Sequence, residues 1–284
     1  MYDFSIGVVL DCFPTDTRDA LKQAAALGLD GIQVYAIEGP ISPEMTPAAR
    51  REFRDLVSAH GLTISALCGD LGHGFFDPAQ NPKNIERSKR ILDLAKDLGV
   101  DIVTTHIGVV PADPAHPRYA IMQDACGQLA EYADQLGSHF AVETGPEPAA
   151  VLRDFLDSLH STGVAVNMDP ANLAMAFRDS AADNVRILQK YIVHTHAKDG
   201  VLIKPCDPEI AYGIRQPEEP YYEEDYCLEV PLGKGDVCWP DYLKALNDIG
   251  YHGFLTIERE TGEDPAGDIR LAADFLRQYV RQPR

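Results

Sequence analysis

The chain has 284 residues, 45% of them hydrophobic, and a formal net charge of −19. Such acidity argues against a nucleic-acid partner, because phosphate backbones need a basic surface. No apolar run approaches the ~18 residues of a membrane helix, and the length suits a large one-core α/β fold, which in barrel form typically takes ~250 residues.

The first predicted strand is 4–10, whose run "FSIGVVL" is too short and too poorly flanked to read as a signal peptide. Thr15-Asp16 then opens a helix with an apolar stripe of Ala20, Leu21, Ala24, Ala25 and Leu27. From here the pattern repeats: a helical stretch ends near a glycine, and an apolar strand follows. The instances are "AALGLDGIQVYA", "SAHGLTISALC", "KDLGVDIVTTHIG", "DQLGSHFAVETG", "LHSTGVAVNMD" and "NDIGYHGFLTIERE". Glycine suits the left-handed turn that closes a helix, and runs rich in Val, Ile and Thr suit strands covered on both faces. Further strands are expected at 31–36, 62–68, 101–107, 139–144, 163–168, 191–197 and 253–258. Thr46-Pro47 and Trp239-Pro240 open two more helices, and 84–98 carries a stripe that includes Ile85, Ile91, Leu92 and Leu98. Eight βα units without a linker predict a single-domain (β/α)8 TIM barrel over 1–284. The rival, an open doubly wound sheet, would want a GxGxxG after its first strand, and none is there.

One connection breaks the rhythm. Gly200 to Leu232 carries Tyr212, Tyr221, Tyr222 and Tyr226 beside an acidic run from Glu218 to Asp225. A loop of this length is usually functional or disordered, and in a barrel it emerges on the active-site face. It is expected to be a lid, with a surface excursion or subunit contact as the alternative. The six cysteines are scattered without a CxxC pair, which predicts free thiols and a cytoplasmic location.

Barrel active sites sit at the C-terminal ends of the strands, and strand residues alternate between interior and helix layer. Glu143, Asp169, His196 and Glu258 then fall at the ends of four consecutive strands, the fifth to the eighth. A lone carboxylate at a strand end is ordinarily a helix cap or an ion-pair partner. Three together with an imidazole would repel one another unless a cation sat among them. Three oxygen ligands and one nitrogen suit a divalent ion, with Mn2+ favoured over Mg2+, Co2+ or Zn2+. In "VHTHAKDG", His194 sits deeper and reads as a hydrogen-bonded support. Lys198 either contacts substrate or pairs with Asp199, and Arg259 faces outward to an ion pair. His106, Asn172, His73 and Tyr35 are further expected substrate contacts, whereas Lys234 in "GKG" reads as part of a turn rather than a phosphate grip.

The ordered motifs "VETGPEP", "NMDPANL", "HTHAKD", "PLGKGDVCWPDYLKAL" and "LTIERE" resemble the xylose isomerase-like sugar phosphate isomerase/epimerase family. That family includes tagatose/psicose epimerases, hydroxypyruvate isomerases and inosose dehydratases. The resemblance spans essentially the whole chain and implies the same four metal ligands. It also implies that Glu143 and Glu258 are the two proton-transfer groups. The implied activity is isomerisation or epimerisation of a keto- or hydroxy-sugar through a metal-stabilised enediolate. Dehydration of the inosose type is the alternative, followed by a barrel that binds sugar without turning it over. The implied partner is a small sugar or polyol derivative, and barrels of this type commonly form homo-oligomers. The chain departs from the epimerases at Asn172, where they place a histidine. It also lacks the extra histidines that the related three-zinc DNA-repair endonucleases need.

Overall fold

A computed structural model describes residues 1–281. The eight barrel strands are β1 (Ser5–Val9), β2 (Gly31–Tyr35), β3 (Thr63–Cys68), β4 (Ile102–Thr105), β5 (His139–Glu143), β6 (Val164–Met168), β7 (Ile192–Ala197) and β10 (Phe254–Ile257). All pair in parallel, and the sheet closes in the order β1-β10-β7-β6-β5-β4-β3-β2. The predicted (β/α)8 barrel is thus the observed fold, with strand ends trimmed by a residue or two.

Helices α1 (Thr17–Ala26), α2 (Pro47–Ala59), α3 (Asn81–Leu98), α4 (Pro117–Leu136) and α5 (Ala149–Ser158) follow the first five strands. Two helices, α6 (Pro170–Phe177) and α7 (Ala181–Leu188), follow the sixth, and α9 (Trp239–Asp248) and α10 (Pro265–Leu276) complete the ring. Their starts have the expected chemistry. The Asp16 carboxylate accepts from the amides of Arg18 and Asp19, and Thr46 caps α2 at the amide of Ala49 ahead of Pro47. Gly99 and Gly137 end α3 and α4 with φ of 78° and 61°, as the repeated pattern predicts. The pattern fails at "LHSTG". There His160 takes the left-handed conformation (φ 50°), while a Cβ at Gly163 would lie 2.0 Å from the carbonyl oxygen of Ala130. That glycine serves close packing of the chain against α4, not a helix cap.

The long connection after β7 is structured. It begins as β8 (Asp199–Leu202), passes through the single turn α8 (Pro208–Ala211), and returns as β9 (Cys227–Val230), antiparallel to β8. The sequence reading found no strands here because each is only four residues long and "DGVL" holds a glycine. The ribbon is tied to the barrel by Asp199, which is 1% exposed. Its Oδ1 accepts from the amides of Gly200 (3.0 Å) and Val237 (3.2 Å), and its Oδ2 from the amide of Gly233 and the indole of Trp239, both at 2.9 Å. Asp199 therefore does not pair with Lys198, which corrects that part of the sequence reading. Amide and indole donors already saturate it.

No helix among the described residues is long and apolar enough to cross a membrane, and all six cysteines are free thiols. Removing the Asp199 carboxylate would leave several buried donors without an acceptor, at roughly 1–3 kcal/mol each. Asp199→Ala is expected to lower stability by roughly 3–5 kcal/mol, read as a reduced urea midpoint with an unchanged slope.

Candidate active site

The four predicted ligands converge. Single ligand atoms of Glu143, Asp169, His196 and Glu258 all lie within 4.8 Å of one another, and all four residues are buried. Barrel topology does this: β5, β6, β7 and β10 are neighbours in the sheet, so their C-terminal ends form one continuous arc. The imidazole Nδ1 of His196 is the centre, 3.4 Å from Glu143 Oε1, 3.4 Å from Asp169 Oδ2 and 3.3 Å from Glu258 Oε2.

The neighbours fix each ligand. His196 Nε2 meets Gln33 Oε1 at 3.1 Å, and Gln33 in turn donates to Thr104 Oγ1 at 3.0 Å. This leaves Nδ1 to face the carboxylates. Glu143 accepts from Asn167 Nδ2 (3.0 Å) and Asn172 Nδ2 (3.2 Å). Asp169 combines the bland role with the chemical one. Its Oδ1 caps α6 by accepting from the amides of Ala171 and Asn172, while its Oδ2 is buried with no hydrogen-bond partner. A buried carboxylate oxygen left unpaired is costly unless a cation meets it. Three carboxylates at this spacing repel by roughly 3–4 kcal/mol per pair at an effective dielectric of ~20. The residues thus fit a divalent ion, to which Glu143, Asp169 and Glu258 could offer oxygen and His196 its Nδ1.

With protein groups alone, protons and lysine carry the compensation. Burial opposes charge on His196, yet Glu258 and Glu143 hold its pKa well above the ordinary imidazole value. Glu258 is kept well below the usual carboxylate range, against burial, by His196 and Lys198. Lys198 Nζ lies 3.0 Å from Glu258 Oε2, 3.0 Å from Glu260 Oε2 and 4.0 Å from Glu229 Oε2. His194 is the deeper support the sequence suggests, meeting Asn167 Oδ1 at 2.9 Å and Thr256 Oγ1 at 3.0 Å. Arg259 makes the outward ion pairs expected of it, to Asp268 of α10 and to Glu229 of β9.

A cavity of about 300 Å³ opens above the quartet. Tyr35, His106, Asn172 and Lys198 line it, as expected; His73 does not. The loop after β3 carries His73 to a separate surface cleft, where its Nε2 meets Asn84 Oδ1 at 3.0 Å. In its place the same loop contributes Asp70, whose Oδ2 is 2.6 Å from His106 Nδ1. His106 Nε2 is 3.7 Å from Glu143 Oε1. Burial opposes its charge, but Glu143 and Asp70 raise its pKa to about 9. Gln33 and Asn167 were legible as lone polar residues inside apolar strand runs and were missed. Asp70, Glu229 and Glu260 had no comparable signal.

The fold and the site together define a xylose isomerase-like TIM barrel, and the chain belongs to that family: its model matches residues 21–279. Among solved structures, the chain is similar to a xylose isomerase domain protein from Planctomyces limnophilus, at 24% identity. The TM-score is 0.77, with 97% of this chain and 95% of that one covered. It is also similar to a D-psicose 3-epimerase (18%, TM-score 0.72, 98% and 99%). A third is the probable 3-DHS dehydratase AsbF from Bacillus anthracis (15%, TM-score 0.72, 97% and 98%).

Because Glu258 and Glu143 hold the His196 pKa well above the ordinary imidazole value, metal binding should release a proton from it. Calorimetric titration of Mn2+ in buffers of different ionisation enthalpy is expected to report release of about one proton near pH 7. Saturating Mn2+ should raise the thermal midpoint, by about 2.7 kcal/mol of stability at a hundred times Kd, and Asp169→Ala should abolish that rise. A second prediction concerns Glu147, which is 3% exposed. Its Oε2 accepts from the amide of Val110 while Oε1 has no partner, and burial raises its pKa to about 8. The folded state then holds a proton that the unfolded state gives up near the ordinary glutamate value. Glu147 therefore costs stability increasingly from about pH 4.5 up to about pH 8, and nothing below that window. Glu147→Gln is expected to raise the thermal midpoint by several degrees at pH 8, with the gain vanishing near pH 4.

Proposed function

We propose that the protein is a divalent-metal-dependent isomerase or epimerase of a keto- or hydroxy-sugar or sugar derivative. The observation that carries this reading is the buried quartet at the floor of the cavity, with Glu143 and Glu258 at the two ends of the arc of four strands. Glu143, Asp169, His196 and Glu258 would hold the ion. When bound, it supplies Lewis-acid polarisation of a substrate carbonyl and compensates the negative charge of the reacting centre.

The chain's own groups do the proton work. One glutamate takes the proton from the carbon next to the carbonyl, and the other returns a proton to the opposite face or to the adjacent carbon. Their different strands let them approach a bound sugar from different directions. Asn167 and Asn172 orient Glu143, while Lys198 holds Glu258 ionised and in place. His106, steadied by Asp70, offers an N–H to a substrate oxygen. The β8–β9 ribbon and the segment between its strands cover the cavity and exclude water during turnover. Similarity to a psicose epimerase supports this reading.

A dehydratase reading has one specific observation in its favour. His106 lies beside Glu143 and bears a proton it can give to a departing hydroxyl. Product mass separates the two, since dehydration removes one water. For the isomerase reading, Glu143→Gln and Glu258→Gln should each reduce solvent-deuterium exchange into a ketose substrate by at least about a hundredfold. Undiminished exchange in both variants, measured by NMR, would sink the assignment.

A further inference from the structure

The cavity has two chemically different halves, and both differ from what a sugar phosphate needs. Its floor is acidic. Asp70, Glu143, Glu258 and Glu260 line it, with Asp169 completing the quartet, and Glu223 adds a further carboxylate from the covering segment. Among the described residues, Lys198 is the one lysine or arginine in the lining, and its ammonium is already shared between Glu258, Glu260 and Glu229. Counting a divalent ion and a protonated His106 still leaves carboxylates in excess. A phosphate dianion entering here would lose its hydration and meet repulsion without a free cation to repay it.

The usual alternative, a nest of backbone amides, is also taken. Phosphate sites in barrels of this kind are frequently built from the loops after the last two strands. Here the amides of the turn around Gly233 and Lys234 are used within the chain, that of Lys234 by the carbonyl of Pro231. Asp199 accepts the amides of Gly233 and Val237, and a Cβ at Gly235 would lie 2.1 Å from Asp199 Oδ1. These amides are committed to a buried carboxylate and are not offered to a ligand in the cavity.

The outer half is aromatic and apolar. Tyr212, from the turn after α8, sets its ring 5.8 Å from that of His106. Tyr221 and Tyr226 stack on each other with centroids 5.1 Å apart at 29°, and Lys204 Nζ lies over the Tyr226 ring at 4.3 Å, which leaves the Tyr221 ring as the open face of the pair. Met175, Cys206 and Cys227 also line the cavity. Tyrosine faces of this kind hold flat apolar groups, with the phenol edge left for water.

We propose that the substrate is an unphosphorylated, uncharged sugar derivative that carries an apolar ring. Its sugar part sits over the quartet, and its ring lies against Tyr212 and Tyr221, with Tyr226 backing Tyr221. This rests on the isomerase reading for the sugar part alone.

The test uses the full-length Mn2+-loaded protein and isothermal calorimetry with phenyl β-D-glucoside, methyl β-D-glucoside, glucose and glucose 6-phosphate. The phenyl glucoside should bind about tenfold tighter than the methyl glucoside, the size of one good aromatic contact. Glucose 6-phosphate should bind at least tenfold weaker than glucose. Tyr221→Ala should erase the phenyl preference and leave methyl glucoside affinity unchanged. If that variant does not fold, the wild-type comparison decides alone. Glu260→Gln, which frees one bond of Lys198 at a half-exposed position, should narrow the discrimination against glucose 6-phosphate. The inference is overturned if glucose 6-phosphate binds as well as glucose, if phenyl and methyl glucosides bind alike, or if none of the four binds. Deuterium exchange into D-fructose and D-fructose 6-phosphate separates this from the underlying reading. Exchange into the phosphate alone sinks the present inference and leaves the isomerase standing. No exchange into either ketose, beside a retained phenyl preference, counts against the isomerase and supports the ligand class.

Discussion

Three buried carboxylates around one imidazole set the terms for the rest of this molecule. Their mutual repulsion has to be answered at the buried end of a barrel, where water screens it poorly. The answer is distributed over the chain. Gln33 turns the His196 ring, Asn167 and Asn172 donate to Glu143, helix α6 donates two amides to Asp169, and Lys198 donates to Glu258. One oxygen, Asp169 Oδ2, accepts no hydrogen bond and faces only the His196 imidazole, at 3.4 Å. That under-served oxygen is the one a cation would meet.

The same electrostatics reach outward through the ribbon. Glu229 on β9 pairs with Arg259 and stands 4.0 Å from Lys198, so the segment over the cavity is tied to the end of the eighth barrel strand. Asp199 anchors the base of that ribbon with four donors. Covering segment and cavity floor are therefore parts of one ion-pair and hydrogen-bond network. Charge changes at Glu229 or Glu260 act on Lys198, and through it on Glu258.

Legibility in the sequence followed periodicity. Barrel strands and their helices repeat with a clear signal, and inward strand-end positions can be counted, so Glu143, Asp169, His196 and Glu258 could be picked out together. His106, Tyr35, Asn172 and Lys198 also reach the cavity, being at or next to strand ends. His73 fails because it lies on a loop, where no alternation rule says which way a side chain goes. Asp70, three residues earlier, faces His106 instead. The ribbon strands escaped because four residues are too few for a pattern, and their pairing spans about thirty residues of chain.

By itself the sequence determined the (β/α)8 architecture and the arc of four candidate ligands, because both depend on alternation along single strands and on the order of strands in the chain. The tertiary structure decided what those ligands feel. Which nitrogen of His196 faces the carboxylates is set by a glutamine 163 positions away. That Lys198 serves three glutamates rather than Asp199 depends on a ribbon folding back over the barrel mouth. Hydrogen bonds and ion pairs act over a few ångströms of space, and only the closed barrel brings those partners within reach.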